Sequence, residues 1–361
     1  MRITFSYCLL SLALCACGDN SIFRGETNEI ERPQEIMTIY PDTVVMNEYH
    51  SSIFAVYDTI AFFYNPMNSD KMYTAYDITH GRKMGEFISR GRGHMEFYSV
   101  SQITNFYRQN NQFHTLIYAP NERQILPWNI DETLTSGQAV FDSITKYKED
   151  VEYPCGYSLL YRLNTRHVLV HRASVHVSNG DYISPDVWQV RTNPELKLVR
   201  EIQLFDIVNN NDSKILPESF YSMFPCVKPD GTKFAGAMCW LPQVNIVDVN
   251  TGKAQGFHHR DMPNHDIFYS DMSSAKYYYA GAQADDKYIY ALWCGQPLAG
   301  LDLSSGMSEL HVYDWKGKLI RNVRLSKPIH QIFLDAESGL LYGCHEEENN
   351  LYRYHISDMN L

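Results

Sequence analysis

"ELHVYDWKGKLI", residues 309–320, alternates side chains between two faces over its first half and then reverses at Trp315-Lys316-Gly317. A period of two is that of a strand, and a glycine-bearing turn is where such a strand doubles back. The pattern recurs in MYTAYDITHGRK (72–83), QILPWNIDET (124–133), DVWQVRTNPELK (186–197), QVNIVDVNTGKA (243–254) and NLYRYHISD (350–358). Asp77, Asn129, Arg191, Asp248, Asp314 and His355 fall at equivalent places in the six copies. Their intervals, roughly 40 to 65 residues, suit one supersecondary unit repeated with loops of variable length.

A second strand precedes each copy, at 58–65, 111–119, 165–173, 231–239, 286–294 and 338–345. Each begins at a tight-turn pair such as Asn110-Asn111, Asp230-Gly231 or Ser338-Gly339. Several, like Tyr288-Ile289-Tyr290-Ala291-Leu292-Trp293, are apolar on both faces and must be covered on both sides by neighbouring sheets. Six units of strand, tight turn, strand, loop, strand, tight turn, strand predict an all-β, six-bladed β-propeller of four-stranded antiparallel blades. Only six residues follow His355, so the last blade lacks its fourth strand. EIMTIYP (35–41) is expected to supply it, closing the ring and removing an open edge. Over 196–208 a strand is preferred to an amphipathic helix, because alternate positions from 196 to 204 are mostly apolar.

Residues 3–16 form a nearly unbroken apolar run behind Arg2, too short to span a bilayer and suited to a secretion signal. The run closes on Leu14-Cys15-Ala16-Cys17, which resembles the lipobox of bacterial lipoproteins, with Cys17 as the lipidated first residue. Cleavage before Cys15 would put Leu14 where that peptidase takes a small residue. The expected organisation is a signal peptide (1–16), a lipidated, solvated tether (17–34) and the propeller (35–361). Such a chain is anchored to a membrane of the cell envelope, with the outer membrane preferred.

The 361-residue chain has a formal net charge of −11 without long blocks of one sign, which argues against nucleic acid as a partner. Cys155, Cys226, Cys239, Cys294 and Cys344 are odd in number and irregularly spaced, with no Cys-x-x-Cys. Neither a disulfide framework nor a structural zinc is expected, though one stray bridge stays open.

Between the first two copies lies Gly91-Arg92-Gly93-His94-Met95-Glu96-Phe97. A phosphate cradle of this composition needs a helix after it, with N-terminal amides aimed at the anion, whereas 98–106 reads as a strand. The glycines are therefore expected to serve a turn between blades. This motif, the lipobox, 288–292, 311–317, Leu341-Tyr342 and Tyr352-Arg353-Tyr354 together resemble the six-bladed, TolB-like or NHL-like propeller lipoproteins of Bacteroides and its relatives. The resemblance covers nearly the whole mature chain, with His94 and Met95 standing where the usual pattern has Pro and Gly. It implies a fold and an envelope address, since most such proteins have no assigned activity.

Loops joining strands one to two and three to four are short. Those joining two to three and blade to blade are long, as at 172–186, 206–222, 256–274 and 293–308, so binding is expected on the long-loop face. Candidates there are Arg90, Arg92 and His94 between the first blades, Arg172 and His176 in a hairpin loop, and Trp240 and Trp293 at strand ends. The segment 256–272 adds His258, His259, Asp261, His265 and Asp266. Arginine forks and aromatic plates suit carboxylated sugars or peptide, although the two tryptophans read first as packing between blades. The His and Asp cluster lacks both H-E-x-x-H and D-x-D-x-D-G, so it reads as a polar loop, with no metal or cofactor expected. No G-x-S-x-G or Cys-His signature is present, and no catalytic residue is assigned. The expected function is a non-catalytic binding or scaffold protein for a glycan, peptide or envelope partner. The alternative is a polysaccharide lyase or hydrolase using His258, His259 or His265.

Overall fold

The computed structural model describes residues 23–33, 35–46, 53–67, 70–147, 159–172, 175–176, 182–184, 187–206, 221–263, 275–302, 305–345 and 350–361, with the side chains at 175–176 and 182–184 left aside. Three N-terminal strands, β1 (Glu26–Ile30), β2 (Ile36–Ile39) and β3 (Asp42–Val45), precede the ring. Blade one is β4 (Phe54–Tyr57), β5 (Ile60–Tyr64), β6 (Lys71–Asp77) and β7 (Arg82–Ser89). Blade two is β8 (Phe106–Gln109), β9 (Gln112–Ala119) and β10 (Gln124–Asn129), then helix α1 (Ile130–Ser136) and two short pieces, β11 (Val140–Phe141) and β12 (Thr145–Lys146). Blade three is β13 (Leu159–Arg162) and β14 (His167–Arg172), a hairpin β15 (Val175–His176) and β16 (Tyr182–Ser184), then β17 (Val187–Thr192) and β18 (Leu198–Ile202).

Blade four is β19 (Met223–Val227), β20 (Lys233–Met238), β21 (Gln243–Asp248) and β22 (Ala254–His259). Blade five is β23 (Lys276–Ala284), β24 (Tyr288–Pro297), β25 (Met307–Asp314) and β26 (Leu319–Ile329). Blade six is β27 (Gln331–Asp335), β28 (Leu340–Cys344) and β29 (Asn350–His355), completed by β3. The fold is the expected six-bladed β-propeller, closed by the chain's own N-terminal segment. The strand preferred over 196–208 is present as β18.

The six repeated segments are the third strands of the six blades, and their recurring polar residue has a local cause. Asp77, Asn129, Asp248 and Asp314 each accept a backbone N–H two to four residues downstream, as in Asp314 Oδ1 with the Lys316 and Lys318 amides, both 2.9 Å. Such a carboxylate or amide satisfies the donors that the turn leaves bare. The turns between first and second strands hold Asp58, Asn110 and Asn111 at φ of 54°, 51° and 62°, a region these short polar side chains tolerate.

The N-terminal segment departs from expectation in two ways. Blade six takes its fourth strand from 42–45, where Val44 pairs with Leu351, while Ile36–Ile39 runs parallel to β26 on the rim of blade five. The expected tether over 18–34 is instead, from Phe23 onward, part of the fold: β1 runs parallel to β22, and Phe23 packs on Phe205 at 5.3 Å. Apolar side chains explain both, since Phe23 and Ile39 are buried at the blade rims. One N-terminal strap thus clasps blades four, five and six in turn.

Residues 98–105 do not form the strand read there, and β8 begins only at Phe106. The stretch is held by separate bonds to blades one, two and three rather than by a ladder: Tyr64 and Tyr73 hydroxyls donate to the Val100 and Ser101 carbonyls, the Ser101 amide donates to the Tyr118 carbonyl, and the Thr104 hydroxyl donates to the Leu160 carbonyl. The core lies between blades. Trp128, fully buried, sits within 5.2–6.2 Å of the Phe62, Tyr73 and Phe87 rings of blade one, and its indole N–H donates to Thr133 Oγ1 at 2.8 Å.

Candidate functional site

The innermost strand of every blade, β4, β8, β13, β19, β23 and β27, contributes to the wall of one cavity of about 600 Å3, the central channel. Its mouth lies at the end where first strands turn into second strands, since Tyr57, Leu163, Lys228 and Glu337 line it beside those turns. A smaller cavity of about 60 Å3 shares Gln102, Gln283 and Gln331 with it and reaches Ile53 and Phe54 at the opposite end of β4. The larger cavity thus opens on the short-turn face, while most of the long loops where binding was expected, 207–220 and 264–274 among them, lie outside the described residues.

Two polar constructions stand at this mouth. Arg108 of blade two pairs with Glu337 of blade six at 3.2 Å and with the Tyr57 hydroxyl of blade one, and that hydroxyl donates to Glu337 at 3.2 Å. The Arg108 guanidinium holds the Glu337 carboxyl below its ordinary range. Desolvation, with the Glu337 charge adding to it, pushes the Tyr57 phenol up to about 12. Arg108 and Glu337 are both more than half exposed, so this clasp links three blades in reach of water and is worth little in stability.

The second construction is a stack. The Arg162 guanidinium lies 3.7 Å above the Tyr107 ring, which stacks on His114 at 5.5 Å, and His114 Nε2 faces Asp142 Oδ2 at 2.9 Å. Arg162 ends β13 because Asn105 grips its backbone from blade two: Asn105 Nδ2 donates to the Arg162 carbonyl and Asn105 Oδ1 accepts the Arg162 amide. Partial burial pulls the Arg162 guanidinium's pKa down, with Tyr107 opposing, and the phenol itself is pushed up to about 12 by desolvation. Among the described residues the Arg162 guanidinium has no carboxylate or hydrogen-bond partner, and neither have the side-chain amides of Gln102, Gln283 and Gln331.

The architecture is shared with known structures. A member of the DUF4221 family from Bacteroides vulgatus aligns with 91% of this chain and 98% of its own length, at 11% identity and a TM-score of 0.53. A Bacteroides fragilis protein described as exported aligns with 89% of this chain and 99% of its own, at 10% identity and a TM-score of 0.50. At such identities the likeness is one of fold. No family model matches the sequence, and no curated protein matches it.

None of the described residues expected to bind lines the channel cavity. Arg90 is spent on its own loop, donating to the Tyr98 and Pro66 carbonyls, while Arg92 and His94 are exposed. The loop is a turn, as read: the Glu96 carboxylate accepts the Gly93 amide at 2.8 Å, and a Cβ on Gly91 would lie 1.9 Å from that same oxygen. Arg172 is buried and partnered, Trp240 packs edge-on against Tyr277, His258 is partly buried and Asp261 is exposed. The side chain of His176, and the residues His265 and Asp266, lie outside the described set.

His259 and Trp293 do come together, but inside the protein. Their rings meet edge to face at 5.5 Å, Trp293 stacks on His311 at 4.5 Å, and Arg32 of the strap covers Trp293 at 4.6 Å. Arg32 Nε donates to His259 Nδ1 at 3.2 Å, and His259 Nε2 lies 3.4 Å from both the Tyr279 and Tyr313 hydroxyls. His311 Nε2 contacts Glu309 at 3.0 Å. Burial is the first cause lowering the pKa of both imidazoles, His259 to about 3. Among the described residues no group of three His, Cys, Asp or Glu could hold a metal ion, and Cys226, Cys239, Cys294 and Cys344 are free. No helix among them is long and apolar enough to cross a membrane.

Proposed function

We propose that this propeller is a lipid-anchored, non-catalytic binding protein of the cell envelope, akin to the TolB-like and NHL-like propeller lipoproteins, whose ligand sits in the mouth of the central channel. The observation that carries the binding reading is the cavity itself. About 600 Å3 is the size of a small-molecule pocket, and its wall holds polar groups that the fold leaves without partners. The anchor reading rests on Leu14-Cys15-Ala16-Cys17. If Cys17 is acylated, five residues separate it from the packed Phe23, a reach of about 20 Å over the six residue steps. The rim of blades three and four would then be held beside the bilayer, with the ring standing rather than lying on it.

Saturation-transfer NMR of the full chain in detergent against a panel of mono- and disaccharides and short peptides tests the site. Binding should be lost in Gln283→Trp, which fills the channel, and kept in Arg92→Ala on the other face. The opposite result, or no binding from the whole panel, would reject the channel. Metabolic labelling with a fatty acid, lost in Cys17→Ser, tests the anchor separately.

A further inference from the structure

We infer that the channel mouth takes a small monocarboxylate bearing hydroxyl or amide groups, with Arg162 as the fork that grips the carboxylate. The inference rests on the channel reading above and adds the chemical class. A guanidinium stacked on an aromatic ring spends its face and keeps its in-plane N–H edge, the edge that pairs with a carboxylate through two parallel bonds. Arg162 is so stacked on Tyr107, lines the cavity, and has no anionic partner among the described residues.

The pairing of charges at the cavity bears on the valence of the ligand. The other cations at the cavity are engaged: Arg108 by Glu337, and Lys228 by Asp230. Of the carboxylates there, Asp335 accepts the Asp58, Glu337 and Ser338 amides and the Ser338 hydroxyl. With Asp335 still charged, the three cations and three carboxylates balance, so the cavity offers one unpaired fork and no surplus of positive charge, which suits a single carboxylate better than a phosphate dianion. Further down, Gln102, Gln283 and Gln331 offer amides that can both donate and accept, suited to sugar hydroxyls or a peptide unit rather than to an alkyl chain.

The carboxylate has two sources, a uronic acid residue of an acidic saccharide or the C-terminus of a short peptide. Titrations of the full chain in detergent with galacturonate, N-acetyl-alanyl-alanine, the uncharged analogues galactose and N-acetyl-alanyl-alanine amide, and inorganic phosphate separate them. At least one carboxylate should bind ten-fold or more tightly than its uncharged analogue and than phosphate, and the arm that does so names the source. Arg162→Gln should remove that advantage, and Arg162→Lys, a point charge without a fork, should keep only part of it. Gln283→Leu, which leaves Arg162 in place, should weaken charged and uncharged ligands alike.

Uncharged analogues binding as well as carboxylates would overturn the inference and leave the channel reading standing. So would phosphate binding best, or a carboxylate preference that survives Arg162→Gln. Absence of binding by every probe would remove both.

Discussion

Replacing His259 by Asn tests whether a buried neutral imidazole makes the ring sensitive to mild acid. Arg32 Nε donates to His259 Nδ1, and a guanidinium can only donate, so Nδ1 carries a lone pair and the ring is neutral with its proton on Nε2. The side chain is 1% exposed. Burial first, then the charges of Arg32, His311 and His258, bring its pKa to about 3. In the unfolded chain the same ring titrates near pH 6.5. Between these values the unfolded state holds more protons than the folded one, so stability falls as pH falls from 6.5 and the loss is complete near 3.

Between pH 7 and pH 5 the linkage relation gives a loss of about 2 kcal/mol from this one group. The carboxyls held low by partners, Asp42, Asp77, Asp230, Glu309 and Glu337, add little above pH 5, because their unfolded counterparts titrate near 4. His311, also lowered by burial, acts in the same direction. Urea unfolding midpoints for the native chain and His259→Asn at pH 7, 6 and 5 supply the measurement. The variant is less stable at pH 7, and its deficit should shrink by about 2 kcal/mol by pH 5. A deficit that stays constant across the three pH values would refute the neutral-imidazole argument.

Trp128→Ala should cost about 3–5 kcal/mol by emptying the contact between blades one and two, and Trp128→Phe about 1 kcal/mol through the lost bond to Thr133, both read from denaturation midpoints. Ile39→Ala should cost about 2–4 kcal/mol if the strap is part of the core; a change under about 0.5 kcal/mol would mean that it is not. Glu96→Ala should destabilise by about 0.5–1.5 kcal/mol through the lost bond to the Gly93 amide, with no effect on ligand titrations, which separates a turn from a binding loop.

The ring was legible because its units repeat: alternation fixes strands, and the Asp or Asn that closes four of the six third strands is a local necessity visible in each of those copies. Blade two broke the pattern, and its signals were local too. Asn129 caps α1 by accepting the Glu132 amide, Asp131 and Glu132 stand in its first turn, and Gly137 ends it at φ 75°. The strap was harder to read. A short strand on the outer rim pairs along one edge only, so Glu26–Ile30, four of its five residues exposed, carries no apolar stripe. The buried His259 was taken for a loop residue because its cover, Arg32, is remote in sequence and reaches it only once β1 lies along β22.

The channel mouth could not be found from loop lengths, because in a closed ring length and convergence are different things. The short turns that follow the innermost strands point at one axis, however long the loops at the other end are. Tyr57, Arg108, Arg162 and Glu337 come from blades one, two, three and six, and each looks in sequence like an ordinary turn residue. Closure by β3 is what brings blade six beside blade one, and with it Glu337 against Tyr57 and Arg108. With Arg108 engaged in this way, the guanidinium of Arg162 is the cation at the cavity left without a carboxylate partner among the described residues. Closure therefore does more than remove a sheet edge: by occupying one arginine it leaves a single free guanidinium fork at the mouth.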